Sequence, residues 1–302
     1  MFFNKPNLSN TIIKPQHISI LGKSSVGLYL AGYFQNLGHN TNIICSPSDK
    51  NKNTDIIIKN SAKLQSTHHK INTSYELTFS PNFLFIASEL PDINSDLLLI
   101  SPSKLFNTTI INLTPNPQPN FFSKNLNQKS ISAFFNAWIN KNGNTVSLNS
   151  LSPQIIFSLS PDETETNQIQ NIFGFNDFEL LFKTSQADSF WNWFTPRVLI
   201  YFSNIALKTS VKELSKTLDG RNLLDNCLNE ISQIAYLDKV NLNKNSVLAE
   251  LYSAPEVVFS FKNQNSSYIQ RFSAKILALL FNRISLENNN FPTLKYLAKK
   301  IF

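Results

Sequence analysis

The stretch HISILGKSSVGLYLAGYFQNLGHN, His17 to Asn40, decides the fold. His17-Ile18-Ser19-Ile20-Leu21 predicts a short buried strand, and it runs straight into Gly22-Lys23-Ser24-Ser25-Val26-Gly27. From there Val26, Leu30, Tyr33, Phe34 and Leu37 recur at helical spacing, and Gly38 stops the helix from the position after its C-cap. Asn42-Ile43-Ile44-Cys45 then predicts a second strand, ended by Ser46-Pro47-Ser48. Strand, turn, helix and strand within about 30 residues is the size of a βαβ unit.

The turn itself is a GxGxxG pattern with serine in the middle: Gly22, Ser24, Gly27. In such a turn the first glycine allows the tight bend and the third allows the helix to lie close to the strand. The middle one lets a pyrophosphate approach the backbone. Serine is the smallest polar substitute, and its hydroxyl can donate to phosphate. A helix N-terminus adds backbone amides and the positive end of the dipole. The whole chain holds seven glycines in 302 residues, and four of them (Gly22, Gly27, Gly32, Gly38) lie in this one segment. A chain so poor in glycine keeps it where a Cβ is hard to place.

Cofactor choice is read at the end of the second strand. NAD-binding units carry an Asp or Glu there for the ribose 2′-hydroxyl. This chain has Ser46 and Ser48 with Lys50 beyond, which suits a 2′-phosphate and so NADP. The expected cofactor-binding residues are Gly22, Lys23, Ser24, Ser25, Val26, Gly27, Ser46, Lys50, Ser88, Asn112 and Thr114. A helix-packing turn without ligand is the alternative.

Outward from this unit, Asp55–Ile58, Phe83–Ile86 and Thr109–Leu113 predict strands, and Leu97–Ile100 falls in a predicted helix. Strands alternating with helices imply a mainly parallel sheet with helices on both faces. Lys129–Phe135 and Trp138–Leu148 follow, with Asn142-Gly143 as a hairpin signal. Ile155–Leu159 and Phe178–Phe182 predict later strands around a helix from about Pro161 to Ile172. Beyond residue 187 only helical patterns recur: 188–208, 221–237, 246–259, 264–284 and 292–302. The expected architecture is a Rossmann-type α/β domain, residues 1–186, followed by an all-α domain, residues 187–302.

Bulk composition narrows the class. With 42% hydrophobic residues and 25 Phe, the chain can bury a large core, which excludes global disorder. No apolar run reaches the length of a bilayer span, and no signal-peptide pattern opens the chain, so a soluble cytoplasmic protein without a membrane partner is expected. The net charge of +7 comes from dispersed lysines rather than a basic stripe with interleaved aromatics, so nucleic acid is not the expected partner. Cys45 and Cys227 stand apart, which excludes a disulfide scaffold. The four histidines lack metal-ligand spacing, and His68-His69, in a polar stretch, are expected to be exposed.

Ile18 to Gly27, followed by Leu37-Gly38-His39, resembles the opening of the ketopantoate reductases. Ala133 to Gly143 is similar to that family's strand and hairpin before its domain boundary. Phe190-Trp191 resembles the start of its second domain, and Pro292 the proline before its last helix. The resemblance implies a Rossmann domain, a helical domain and an active site in the cleft between them. It implies NADPH-dependent reduction of 2-dehydropantoate to pantoate. Carried over by spacing, the family's helix lysine falls on Trp193 and its asparagines on Arg197 and Tyr201. Its glutamate falls at about Tyr268, its lysine after the fourth strand on Glu89, and its asparagine after the fifth strand on Thr114, with Asn112 and Asn116 nearby.

Hydride delivery to a ketone leaves an alkoxide that needs a proton or fixed positive charge. Arg197, Tyr201, Asn204 and Lys208, spaced 4, 3 and 4 apart, form a polar stripe among apolar neighbours and are the expected catalytic residues. Arg197 would bind a carboxylate and Tyr201 or Lys208 would supply the proton. The alternative is a solvated helix face. The expected substrate is a small 2-oxo acid, with a homodimer formed through the helical domain as a candidate assembly. A reductase of another oxo or imino acid, or a catalytically silent dinucleotide-binding relative, are the alternative functions.

Overall fold

The computed structural model describes residues 14–46, 53–60, 63–77, 79–88, 92–114, 125–137, 139–150, 153–158, 162–174, 177–253 and 291–301. In chain order the strand β1 (His17–Leu21) leads into α1 (Ser25–Asn36) and β2 (Asn40–Ile44). Strands β3 (Asn53–Asn60), β4 (Gln65–Ser74) and β5 (Phe83–Ile86) follow, then α2 (Ile93–Leu97), a short 3-10 turn and β6 (Thr109–Asn112). Next come β7 (Ser130–Asn136), β8 (Ile139–Asn142), β9 (Thr145–Leu148), β10 (Gln154–Ser158), α3 (Glu163–Phe173) and β11 (Glu179–Lys183). The helical part holds α4 (Gln186–Ala206), α5 (Val211–Leu214), α6 (Leu218–Leu237), α7 (Lys244–Ser253) and α8 (Pro292–Ile301).

All described strands join one sheet in the order β11-β10-β7-β6-β5-β1-β2-β4-β3-β9-β8. From β7 through β4 the neighbours are parallel; the β3–β4, β8–β9 and β7–β10 pairs are antiparallel. Alternation along the strands sorts the core. Ile18, Ile20, Phe83 and Phe85 pack with α1 and α3, while Leu21, Leu84 and Ile86 pack with α2. On the first face Phe34, Phe85 and Phe173 form a ring cluster, with centroids 5.1 to 5.9 Å apart. A third cluster unites the helices α4, α6, α7 and α8, and Phe134 of β7 belongs to it.

The expected mainly parallel sheet and helical second half are both present. Two local expectations change. Helix α2 ends at Leu97, so Leu98 and Leu99 are outside it. Strand β4, absent from the sequence reading, lies between β2 and β3, and turns β3 into an antiparallel hairpin arm. Its inward positions are His69 and Ile71. A histidine at one of the two inward positions hid the alternation. His69 is therefore buried, whereas His68 is exposed as expected. Gly32 of α1 permits this packing, since a Cβ there would collide with the Ile58 side chain. The predicted helix over 264–284 lies outside the described residues.

Two buried imidazoles hold the neutral form. The Gln16 amide donates to His39 Nδ1 (3.2 Å), so Nε2 carries the proton and donates to Ile172 O (3.1 Å). His69 is held by Gln35 Oε1 (3.0 Å) and Thr67 Oγ1 (2.8 Å). Burial lowers both below the ordinary imidazole value of 6.5. Groups with depressed imidazole values bind fewer protons folded than unfolded, so stability rises with pH across that window. The urea midpoint is expected to fall between about pH 7 and pH 5, and the double variant His39→Gln/His69→Gln to flatten that fall. An unchanged slope in the double variant would refute the assignment.

The C-terminal helix is capped from a distance. Glu230 of α6, 8% exposed, accepts from the amides of Thr293 (2.9 Å) and Leu294 (2.8 Å) at the start of α8. First-turn amides have no intrahelical acceptor, and these two meet a carboxylate that also complements the dipole. Glu230→Ala is expected to cost about 2–4 kcal/mol in urea unfolding, with Glu230→Gln intermediate. A loss below about 1 kcal/mol would show that the cap is dispensable.

Candidate dinucleotide site

The phosphate turn sits at the sheet's topological switch point. From β1 the chain crosses to β2 on one side, and β5 takes the place on β1's other side. The crevice between two such strand ends is where open α/β sheets bind ligands. Backbone bonds fasten the three ends together: Gly22 N–H donates to Ile44 O (2.9 Å) and Ala87 N–H to Leu21 O (2.9 Å).

Gly22 has φ of +97°, and a Cβ there would lie 2.5 Å from Ser88 Cα. Gly27 meets the first helical turn, where a Cβ would lie 2.8 Å from Gly22 O. Both fingerprint glycines are thus required by close backbone approach. Ser24 caps α1: its Oγ accepts from Gly27 N–H (3.1 Å), and its C=O accepts the first helical bond from Leu28 (2.9 Å). The cap takes the Gly27 amide and leaves those of Ser25 and Val26 directed out of the helix start. Ser24 keeps its own hydroxyl hydrogen as a further donor. Lys23, Ser24, Ser25 and Val26 are all half-buried.

The loops after β5 and β6 close the crevice. Thr114 Oγ1 donates to Ser88 O (2.8 Å), and the Ser88 hydroxyl donates to Leu21 O (3.4 Å). Asn112 folds onto its own strand end, accepting from Thr114 N–H (2.9 Å) and donating to Thr114 O (3.1 Å). Ser88, Asn112 and Thr114 are therefore together at the rim, buried and mutually bonded. Ser46 ends β2 half-buried. Lys50, like Ser48, Glu89, Asn116 and Tyr268, lies outside the described residues.

The helical stripe is not brought together as its spacing implied. Helix α4 ends at Ala206, so Lys208 lies beyond it, exposed, with φ of +54°. Asn204 is buried and donates to Ile200 O (2.8 Å). Tyr201 lies on α4, and its side chain is outside the described residues. Neither Arg197 nor Asn204 is on a solvated face. Arg197 Nη1 donates to Trp193 O (2.7 Å) and to Glu250 Oε1 (3.2 Å), and Nη2 donates to Asn136 Oδ1 (3.1 Å). Its guanidinium carbon is 4.6 Å from the centroid of the Trp193 ring. Burial pulls Arg197 below its ordinary value and pushes the Glu250 carboxyl up, each partly offset by the other's charge.

Sequence reasoning missed Asn136 and Glu250. Asn136 ends β7, inside the Ala133–Gly143 segment, so position pointed to it. Glu250 is one acid in a helix of mixed composition, and no local pattern singles it out. The polar run continues through Asn136 Nδ2, which donates to Gln154 Oε1 (3.2 Å), and Gln154 Nε2, which donates to Glu179 Oε2 (2.6 Å). Since β7 runs parallel to β1 through β6 and β5, this cluster shares the sheet edge with the phosphate turn.

No helix among the described residues is long and apolar enough to cross a membrane, and no group of His, Cys, Asp or Glu among them could hold a metal ion. No protein-family model matches the sequence, and no curated protein sequence matches it. Solved structures do match in shape. A ketopantoate reductase from Staphylococcus aureus, described as dimeric, has a TM-score of 0.70 at 14% identity, covering 94% of this chain and 98% of its own. A ketopantoate reductase from Ralstonia eutropha JMP134 has a TM-score of 0.71 at 12% identity, covering 94% and 96%. D-mandelate dehydrogenase in a ternary structure with NADH and anilino(oxo)acetate has a TM-score of 0.69 at 14% identity, covering 94% and 96%. The chain has the fold of the ketopantoate reductases, a Rossmann-type sheet followed by a helical half.

Proposed function

We propose that this protein is an NADP-dependent reductase of a 2-oxo acid, and that 2-dehydropantoate, reduced to pantoate, is its substrate. The observation that carries the reading is the Gly22–Gly27 turn at the switch point, where neither glycine has room for a Cβ. The amides of Ser25 and Val26 and the Ser24 hydroxyl are assigned to the pyrophosphate, with Lys23 adding positive charge. Ser88, Asn112 and Thr114 are assigned to the nicotinamide side of the crevice, and Ser46 with Lys50 to the 2′-phosphate. The bound cofactor would supply the hydride.

Arg197 is assigned as the fixed positive charge that attracts the substrate carboxylate, with Asn136 and Glu250 holding its orientation. Tyr201, one turn further along α4, is assigned the proton for the alkoxide; Asn204 and Lys208 stand as supporting residues of this set. A homodimer is proposed by analogy with the dimeric ketopantoate reductase of the same fold. The engagement of Arg197 within the protein favours a second reading, a dinucleotide-binding relative without turnover.

NADPH consumption with ketopantoate and a panel of 2-oxo acids separates these. Turnover with ketopantoate above the panel is the expected result. Tight NADPH binding without turnover on any acid would leave only the second reading.

A further inference from the structure

A second cavity, of about 450 Å³, lies beside the start of α4. Its β-wall is level with the strand ends at the phosphate turn, since Ser132 pairs in register with Asn112, Asn112 with Ile86 and Ile86 with Leu21. Gln186, the first residue of α4, bonds Ser132 early in β7, and Lys183 is linked to Ser132 by register through Ser158. The walls are Ile156 of β10, Lys183 at the end of β11, Asp188 and Asn192 of α4, and Ser246 and Glu250 of α7.

The charges on these walls select a ligand. Glu250 is matched by Arg197 at 3.2 Å, which leaves one carboxylate, Asp188, and one ammonium, Lys183. Asn192 donates one amide hydrogen to Asp188 O (2.8 Å), and its Oδ1 is an acceptor. The first turn of α4 is already capped by Ser185, whose Oγ accepts from Asp188 N–H (3.1 Å). Acceptors therefore gather on the α4 and α7 walls, and the cation stands at the end of β11.

We infer that this cavity binds a small zwitterion of the α-amino acid class. Its ammonium would meet Asp188 and Asn192, and its carboxylate would meet Lys183. The volume is within the usual range for small-molecule sites. The inference does not depend on the dinucleotide reading, and its test is run without dinucleotide.

The test titrates the intact protein with free L-amino acids, followed by calorimetry and thermal unfolding. Matched primary amines and matched carboxylic acids, each lacking one of the two charges, are the controls. At least one amino acid is expected to bind saturably and raise the unfolding temperature. Its affinity should fall about tenfold or more in Asp188→Asn and in Lys183→Gln, since each removes a charged hydrogen bond. Both positions are exposed, and an unchanged circular dichroism melt without ligand would establish that the variants fold. Binding of no amino acid, equal binding of an amine or acid alone, or unchanged affinity in both variants would overturn the inference.

Discussion

Gly22→Ala is expected to abolish saturable dinucleotide binding and to lower stability by roughly 2–5 kcal/mol. The reason is twofold. Gly22 has φ of +97°, a conformation that L side chains rarely adopt. The added methyl would also press against Ser88 Cα, Oγ and N at 2.5 to 2.8 Å. Two of those three atoms are backbone, so no rotamer change relieves them. The strand ends β1 and β5 must separate, and the crevice between them opens. Urea unfolding together with a cofactor titration checks this. A variant that keeps wild-type stability and binding would show that the turn tolerates a Cβ.

Arg197→Met is expected to cost about 3–5 kcal/mol, because it leaves a half-buried carboxylate without its partner. It removes the donors to Glu250, Asn136 and Trp193 O in one step and breaks a tie between β7, α4 and α7. The deficit should depend on pH with a defined sign. Burial already pushes the Glu250 carboxyl up, and losing the cation raises it further. A carboxyl raised above its unfolded value binds more protons when folded. The variant's deficit therefore shrinks as pH falls and grows as pH rises through the folded value. The double variant Arg197→Met/Glu250→Gln should recover much of the loss by removing the stranded charge. Urea unfolding across that range, on the single and double variants, is the measurement. A single-variant loss under about 1 kcal/mol would mean that the pair is screened like a surface bridge.

The parts of the fold that local sequence encodes were legible. Ile18, Ile20 and Leu21 alternate between two faces, Val26 to Leu37 keep helical spacing, and Gly22, Gly27 and Gly38 punctuate them. The Asn142-Gly143 signal became the β8–β9 hairpin with Gly143 at φ of +58°. What escaped depended on partners far away in sequence. Strand β4 hid because His69 takes an inward position beside α1, and its burial is possible through bonds to Gln35 and Thr67. The polar stripe of α4 was legible as a spacing, but the use of its residues was not. Arg197 meets Glu250 across 53 positions and Asn136 across 61. No pattern within one helix encodes such contacts, nor the end of α4 at Ala206, which puts Lys208 outside the stripe.

Dinucleotide binding at the Gly22–Gly27 turn is tested by an equilibrium titration of the protein with NADPH and with NADH, followed by the fluorescence of the reduced nicotinamide. Saturable binding, tighter for NADPH than for NADH and lost in Gly22→Ala, is the predicted result. The absence of saturable binding of either dinucleotide to the wild-type protein would contradict it.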